Sequence, residues 1–358
     1  MTAITIGNSL VGLEHPTYFI ADIAANHDNS LEKALELIER CAAAGANAAK
    51  FQNFKASTIV SNQGFNELTN IKSHQSTWEK SVYEIYDEAS ISLEWTTHLK
   101  KKCDECGIDY FTAPYDLSFI ESLDNFVCAW KVGSGDITWL ELIEKLSKST
   151  KPLLIATGAS SMDDVKSAIT IAQKNTKKLI LMQCNTNYTG SLENFKYVNL
   201  NVLKSYQKEF SDVVLGLSDH TPGHATVLGA ISLGARVIEK HFTDDNTRSG
   251  PDHKFSMNPS SWKEMVTRSR ELENALGDGV KKVEHNELET YILQRRAVRA
   301  TKNLKSGTFL TSKDLIPLRP CPEAGLVPSR QNDLIGKILT RDISKGELIK
   351  ISDCINNS

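Results

Sequence analysis

VVLGLSD (213–219) and RVIEKHF (236–242) decide the fold: each is a short, apolar, β-rich run, and each ends in polar residues. Six more runs of the same kind precede them: YFIADIA (18–24), NAAKFQNF (47–54), DYFTAP (109–114), AWKVGS (129–134), PLLIATG (152–158) and LILMQC (179–184). Amphipathic stretches alternate with these runs from Tyr18 to about Ala275. That alternation predicts eight βα units and an α/β fold, a (β/α)8 TIM barrel whose polar strand ends converge at one rim.

Local signals punctuate the helices. Ser30 is expected to cap LEKALELIERCAAAG (31–45), with Gly45 at its stop, and Ser161 to cap MDDVKSAITIAQK (162–174). The second βα connection, from Lys55 to about Ile91, is long and holds the polar and aromatic stretch STWEKSVYEIYDEAS (76–90). It reads as a lid or substrate loop, or as a surface insertion. The barrel pattern fades in GDGVKKVEHNELETYILQRR (277–296), a charged connector. The predicted organisation is a barrel over residues 1–276, a linker over 277–296 and a small β-rich domain over 297–358, with turns at Lys305-Ser306-Gly307 and Lys345-Gly346.

Composition narrows the function classes. Of the 358 residues 40% are hydrophobic and 24% charged, enough apolar mass for one large and one small core. A net charge of -3 supplies no general basic field, so neither nucleic acid nor an anionic membrane is an expected partner. The N-terminus lacks a basic start followed by an apolar core, and no run is long enough to span a bilayer, so a cytoplasmic protein is expected. Seven scattered cysteines argue for reduced thiols, and Cys103-x-x-Cys106 has no second pair at metal-binding spacing.

The chemistry-bearing residues sit at strand ends. His220 and His241 follow the last two strands, which neighbour each other in a barrel, so both imidazoles can share a divalent cation. Lys50 and Lys131 interrupt apolar strands, where an ammonium group needs a partner. One partner is a bound anion, held with the hydroxyls of Thr112, Ser134 and Ser218. The other is an internal carboxylate, pairing Lys50 with Asp22 and Lys131 with Asp136. Asp22, Asp136 and Asp252 suit contacts to sugar hydroxyls or proton transfer, or else cap local turns.

Ordered motifs then carry a resemblance: ADIAANHDN (21–29), AAKFQNFKA (48–56), FTAPYD (111–116), KVGSGDITW (131–139), ATGAS (156–160), QCNTNY (183–188), GLSDHTPGH (216–224), GARVIEKHFT (234–243), GPDHKFSMNP (250–259), QRRAV (294–298) and LRPCPEAGLVP (318–328). From about residue 18 to 355 the chain resembles the sialic acid synthases. These are phosphoenolpyruvate-condensing nonulosonate synthases with a C-terminal antifreeze-like (SAF) domain. The resemblance implies condensation of phosphoenolpyruvate with an acyl-amino-hexose aldehyde, such as N-acetylmannosamine, and water, giving a nonulosonic acid and phosphate. It implies Mn2+, or Mg2+ or Co2+, on His220 and His241, and phosphoenolpyruvate on Lys50, Thr112, Lys131, Ser134 and Ser218. Gln52, Asp136, Tyr188 and Asp252 join as substrate contacts, with Asp22, Lys50 and Lys131 as catalytic groups. It also implies a domain-swapped homodimer in which Arg319 reaches the sugar. Asp22 stands where the family usually has glutamate, Ala156 replaces a serine of some relatives, and the loop after Arg319 is longer than the common pattern. The rival expectations are a synthase of a shorter 2-keto-3-deoxy acid from an aldose phosphate, and a non-catalytic sugar-binding protein.

Overall fold

A computed structural model describes residues 3–67 and 80–356. Eight parallel strands close a barrel: β3 (Tyr18–Asp22), β4 (Ala48–Asn53), β5 (Asp109–Pro114), β6 (Trp130–Val132), β7 (Leu153–Ala156), β8 (Leu179–Cys184), β9 (Val214–Asp219) and β10 (Ala235–His241). All eight fall on the predicted runs, and β10 pairs back onto β3. An N-terminal hairpin that the sequence pattern had not suggested, β1 (Ile4–Ile6) with β2 (Ser9–Val11), comes first. Its Ile4, Ile6 and Val11 pack with Tyr18, Ala48 and Val214, residues that begin barrel strands. The hairpin therefore plugs the end of the barrel opposite the polar rim.

Strand periodicity places every side chain that matters. Successive residues face opposite sides, so in β3 Phe19 and Ala21 pack among the helices while Tyr18 and Ile20 fill the barrel. Extending that parity turns Asp22 inward. The same rule holds in β4, where Ala48 is inside and Ala49 and Phe51 are outside, which turns Lys50 and Gln52 inward. In β10 Val237 is inside and Ile238 outside, so Glu239 and His241 point in. The barrel interior is thus apolar at its lower end and polar at the strands' C-terminal ends.

The expected caps form. Ser30 accepts a hydrogen bond from the Lys33 amide at the start of helix Leu31–Ala43. Gly45, with φ at +96°, occupies the left-handed region that stops this helix. Ser161 and Asp164 complete a capping box on helix Met162–Gln173. The long second connection holds helices Ala56–Ile59, Asn62–Glu67 and Val82–Ala89; the first part of STWEKSVYEIYDEAS, residues 76–79, lies outside the described residues. All seven cysteines are free thiols. Among the described residues no helix is long and apolar enough to cross a membrane.

Compact units comprise Met1–Gly277 and Asp278–Ser358. The second contains helix Leu288–Gln294 and two antiparallel pairs, β11 (Ala297–Ala300) with β12 (Leu315–Leu318), and β13 (Lys337–Leu339) with β14 (Cys354–Asn356). Its own core includes Val298, Leu310, Leu334 and Ile349. Gly307 and Gly346, at φ of +87° and +82°, make the two expected turns.

Candidate active site

A cavity of about 390 Å³ opens at the C-terminal ends of the barrel strands. Asp22, Lys50, Gln52, Lys131, Ser134 and Asp136 line it, with Tyr188, Ser218, His220, His241 and Asp252. Strand register explains the convergence. His241 is level with Asp22, and Asp22 with Lys50, across three adjacent strands. One layer deeper, Glu239 is level with Ser218, and Ser218 with Cys184.

An ionic cluster spans these two layers. Lys50 Nζ donates to Asp22 Oδ2 at 2.7 Å and lies 3.6 Å from Glu239 Oε1, while Lys131 Nζ donates to that same Glu239 oxygen at 3.1 Å. Ser218 Oγ donates to it at 3.3 Å. The four charged side chains are no more than 5% exposed. Two ammonium groups thus balance two carboxylates in a medium that penalises any unpaired charge. Burial raises Glu239, but Lys131 and Lys50 outweigh it and hold the carboxyl at about 2. Burial pulls Lys50 down, yet Asp22 and Glu239 leave its pKa raised. Asp22 is raised by its burial, against Lys50, with the charge of Glu239 adding to the rise.

Of the internal pairs that the sequence allowed, Lys50 with Asp22 forms and Lys131 with Asp136 does not. Lys131 pairs instead with Glu239, a residue the sequence reading passed over although it sits two positions before His241 on the inward face of β10. An acidic residue within an apolar strand and in phase with a rim histidine was the available signal. Asp136 is pushed up to about 6 by burial alone.

Thr112 does not line the cavity. It follows Phe111, which faces inward, and shares the outer face of β5 with Tyr110. Its hydroxyl donates to Asn53 Oδ1 at 2.6 Å and to the Phe51 carbonyl at 3.2 Å. Ala156 does point into the barrel, but as part of the apolar packing. Arg319 follows β12 in the second unit and is exposed.

The histidines lie together, with ring centroids 5.3 Å apart and Tyr188 4.3 Å from His220. His220 Nδ1 is 2.9 Å from the Asn185 carbonyl; donation there leaves the lone pair on Nε2. Burial, and after it the charge of His241, lowers His220 to about 3; burial, and after it Lys50, lowers His241 to about 3. Both rings are therefore neutral at ordinary pH. His241 Nδ1 is buried without a hydrogen-bond partner, although Asp252 Oδ2 lies 4.0 Å away. Neutral, desolvated imidazoles with a nitrogen left over are the donor chemistry a divalent cation takes. Among the described residues no set of three or more His, Cys, Asp or Glu side chains is grouped to hold one.

Residues 37–281 match the NeuB family and residues 295–353 match the SAF domain. The N,N'-diacetyllegionaminic acid synthase of Campylobacter jejuni subsp. jejuni is 32% identical over 93% of this chain and 99% of its own length. The human N-acetylneuraminate-9-phosphate synthase is 30% identical over 95% of this chain and 93% of its own. A crystal structure of the N-acetylneuraminic acid (sialic acid) synthetase of Leptospira borgpetersenii, in complex with citrate, superposes with a TM-score of 0.70 at 26% identity, covering 81% of this chain and 95% of that one. A barrel with its polar rim, a C-terminal SAF domain and relatives of nearly equal length that make nonulosonic acids lead to one conclusion: the chain belongs to the NeuB family.

Proposed function

We propose that this cavity condenses phosphoenolpyruvate with an open-chain acyl-amino-hexose aldehyde and water, releasing phosphate and a nine-carbon 2-keto-3-deoxy acid. The observation that carries the reading is the pair of buried ammonium groups, Lys50 and Lys131, set beside two neutral histidines in one cavity. An ammonium has three protons to donate. With Glu239 and Asp22 fixing the side chains, the remaining donors suit the carboxylate and phosphate oxygens of phosphoenolpyruvate. Ser134 adds to them: its Oγ accepts from the Gly158 amide at 2.9 Å, which leaves the hydroxyl proton for an anion.

His220 and His241 would hold the divalent cation, Mn2+ in the first instance, whose chemistry is to polarise the aldehyde carbonyl. The chain's own groups do the rest. Gln52, Asp136, Tyr188 and Asp252 orient the sugar so that C3 of phosphoenolpyruvate meets the aldehyde carbon. The C2–C3 π pair of phosphoenolpyruvate forms the carbon–carbon bond there, leaving C2 electron-poor. The aldehyde oxygen becomes a hydroxyl with a proton from Lys50, which Asp22 makes good with the proton of the water that follows. Water then adds to C2, and Asp22 takes its proton, being close to both Lys50 and His241. The tetrahedral intermediate expels phosphate into the cradle of Lys50, Lys131, Ser134 and Ser218, leaving the 2-keto group. The reading includes a homodimer in which Arg319 of one protomer contacts the sugar in its partner.

Incubating the full chain and Mn2+ with phosphoenolpyruvate and a panel of acyl-amino sugars, and following phosphate and product mass, tests it. Phosphate release coupled to a nine-carbon acid is expected. Turnover of shorter aldose phosphates alone would replace this reading with a shorter keto-deoxy acid synthase, and binding of sugars without any turnover would make the protein a sugar binder.

A further inference from the structure

Lys240 and Asp219 form the last register pair of β10 with β9. Beyond it β10 runs on to His241, level with Asp22 of β3, while His220 leaves the sheet. The two rim histidines therefore stand one residue past a shared rung, where their segments part. Their rings, 5.3 Å apart between centroids, must keep their separation if both are to meet one cation. Imidazole bonds to a divalent cation, about 2.1 Å long in zinc sites, tolerate displacements of about 0.2 Å.

That last rung carries a buried ion pair. In β9 Leu217 faces the helices and Ser218 the cavity; in β10 Ile238 faces the helices and Glu239 the cavity. Asp219 and Lys240 thus return to the helix side, behind the histidines. Neither lines the cavity, and each side chain is 2% exposed. Lys240 Nζ donates to Asp219 Oδ2, and to the Thr221 carbonyl at 2.6 Å. Asp219 also accepts from the Thr221 amide at 3.1 Å, from Thr221 Oγ1 at 2.9 Å and from Thr226 Oγ1, on helix Ala225–Ser232, at 2.7 Å. Both chain neighbours of His220, Asp219 and Thr221, are therefore bonded to Lys240, and the residue after Lys240 is His241.

The histidines need this support unequally. His220 Nδ1 has the Asn185 carbonyl to orient its ring, whereas His241 Nδ1 has no hydrogen-bond partner, so the placement of His241 falls to the backbone of β10. A buried ion pair seldom stabilises a fold more than apolar side chains of the same volume would. A pair whose hydrogen bonds are all met does select one arrangement of the strands that carry it. Resting on the two-histidine cation site of the reading above, we propose that Asp219 and Lys240 are positioning residues. Their ion pair, with Thr221 and Thr226, fixes His220 relative to His241 and so sets the affinity for the divalent cation.

The test is calorimetric titration of Mn2+ into the full chain without substrate, alongside thermal melts. Asp219→Asn combined with Lys240→Met removes both charges and leaves no buried charge alone. This double variant should bind Mn2+ about 10- to 100-fold more weakly than wild type. Tyr18→Phe is the control for stability alone, since it breaks a buried bond to Asp109 at the opposite end of the barrel. It should lower Tm and leave Mn2+ affinity at the wild-type value. Wild-type affinity in the folded double variant overturns the proposal, and so does an equal loss of affinity in Tyr18→Phe. Should the double variant not fold, Thr226→Val decides, because it keeps both charges and removes one hydrogen bond to Asp219. About threefold weaker binding is expected there, and unchanged binding overturns the proposal. A wild-type chain that binds no Mn2+ removes the cation site and this inference together, whereas wild-type binding with unaltered variants removes the inference alone.

Discussion

Glu239 Oε1 accepts a hydrogen bond from Lys131 Nζ at 3.1 Å, joining strands that are 108 residues apart in the chain. This contact ties the charges of the cavity to the stability of the barrel, because the carboxylate also faces Lys50.

Glu239→Gln should therefore destabilise the protein by about 3 kcal/mol at pH 7, since it leaves two buried ammonium groups short of a counter-charge. Folding moves the Glu239 pKa down from 4.5 to about 2. Its contribution is complete above the unfolded value and is lost as pH falls through the folded one. Denaturant titrations at several pH values should show the gap between wild type and variant closing between about pH 4.5 and 2. A gap that stays constant over that window would contradict the assignment.

Asp136 has the opposite sign. Burial moves it from 3.8 up to about 6, so the folded state keeps the proton longer than the unfolded chain. Ionising it costs stability as pH rises through that range. Asp136→Asn should be more stable than wild type at pH 8, with the advantage gone near pH 4, as read by the same titrations. Equal stability at both pH values would argue against a buried, raised carboxyl.

Thr112→Val separates packing from substrate contact. The hydroxyl is bonded to Asn53 on the outer side of β5. The variant should lose about 1 to 2 kcal/mol of stability and keep the wild-type KM for phosphoenolpyruvate. A large rise in that KM would put Thr112 back in the phosphate cradle.

Removal of divalent cations should abolish phosphate release, and Mn2+ should restore it in wild type. His220→Ala and His241→Ala should weaken Mn2+ binding by about 100-fold or more, measured by titration calorimetry independently of turnover. Wild-type affinity in either variant would exclude that ring as a ligand.

Sharing of sites across a dimer has its own test. Mixed Arg319→Ala and Lys50→Ala chains should recover about one quarter of wild-type activity, because half the dimers are hybrids and each hybrid has one intact site. Confirmed hybrids without recovery would rule the sharing out.

The eight strands and their polar ends were legible in the sequence because strand formation, capping and turns depend on neighbours a few residues apart. Ser30, Gly45 and Ser161 act within one helical turn of where they stand. Parity within a strand was legible too, and sets Glu239 on the same face as His241; which face of β5 turns inward was not legible, because Tyr110 and Phe111 are both large, apolar and buried, one on each side of the barrel wall. What only the tertiary structure decided is which charges meet. Asp22, Lys50, Lys131 and Glu239 lie on four strands, and their contacts depend on barrel closure and on the register that sets Asp22 level with both Lys50 and His241. Local chemistry writes the elements along the chain, whereas a buried charge acquires its meaning from whatever the closed barrel brings opposite it.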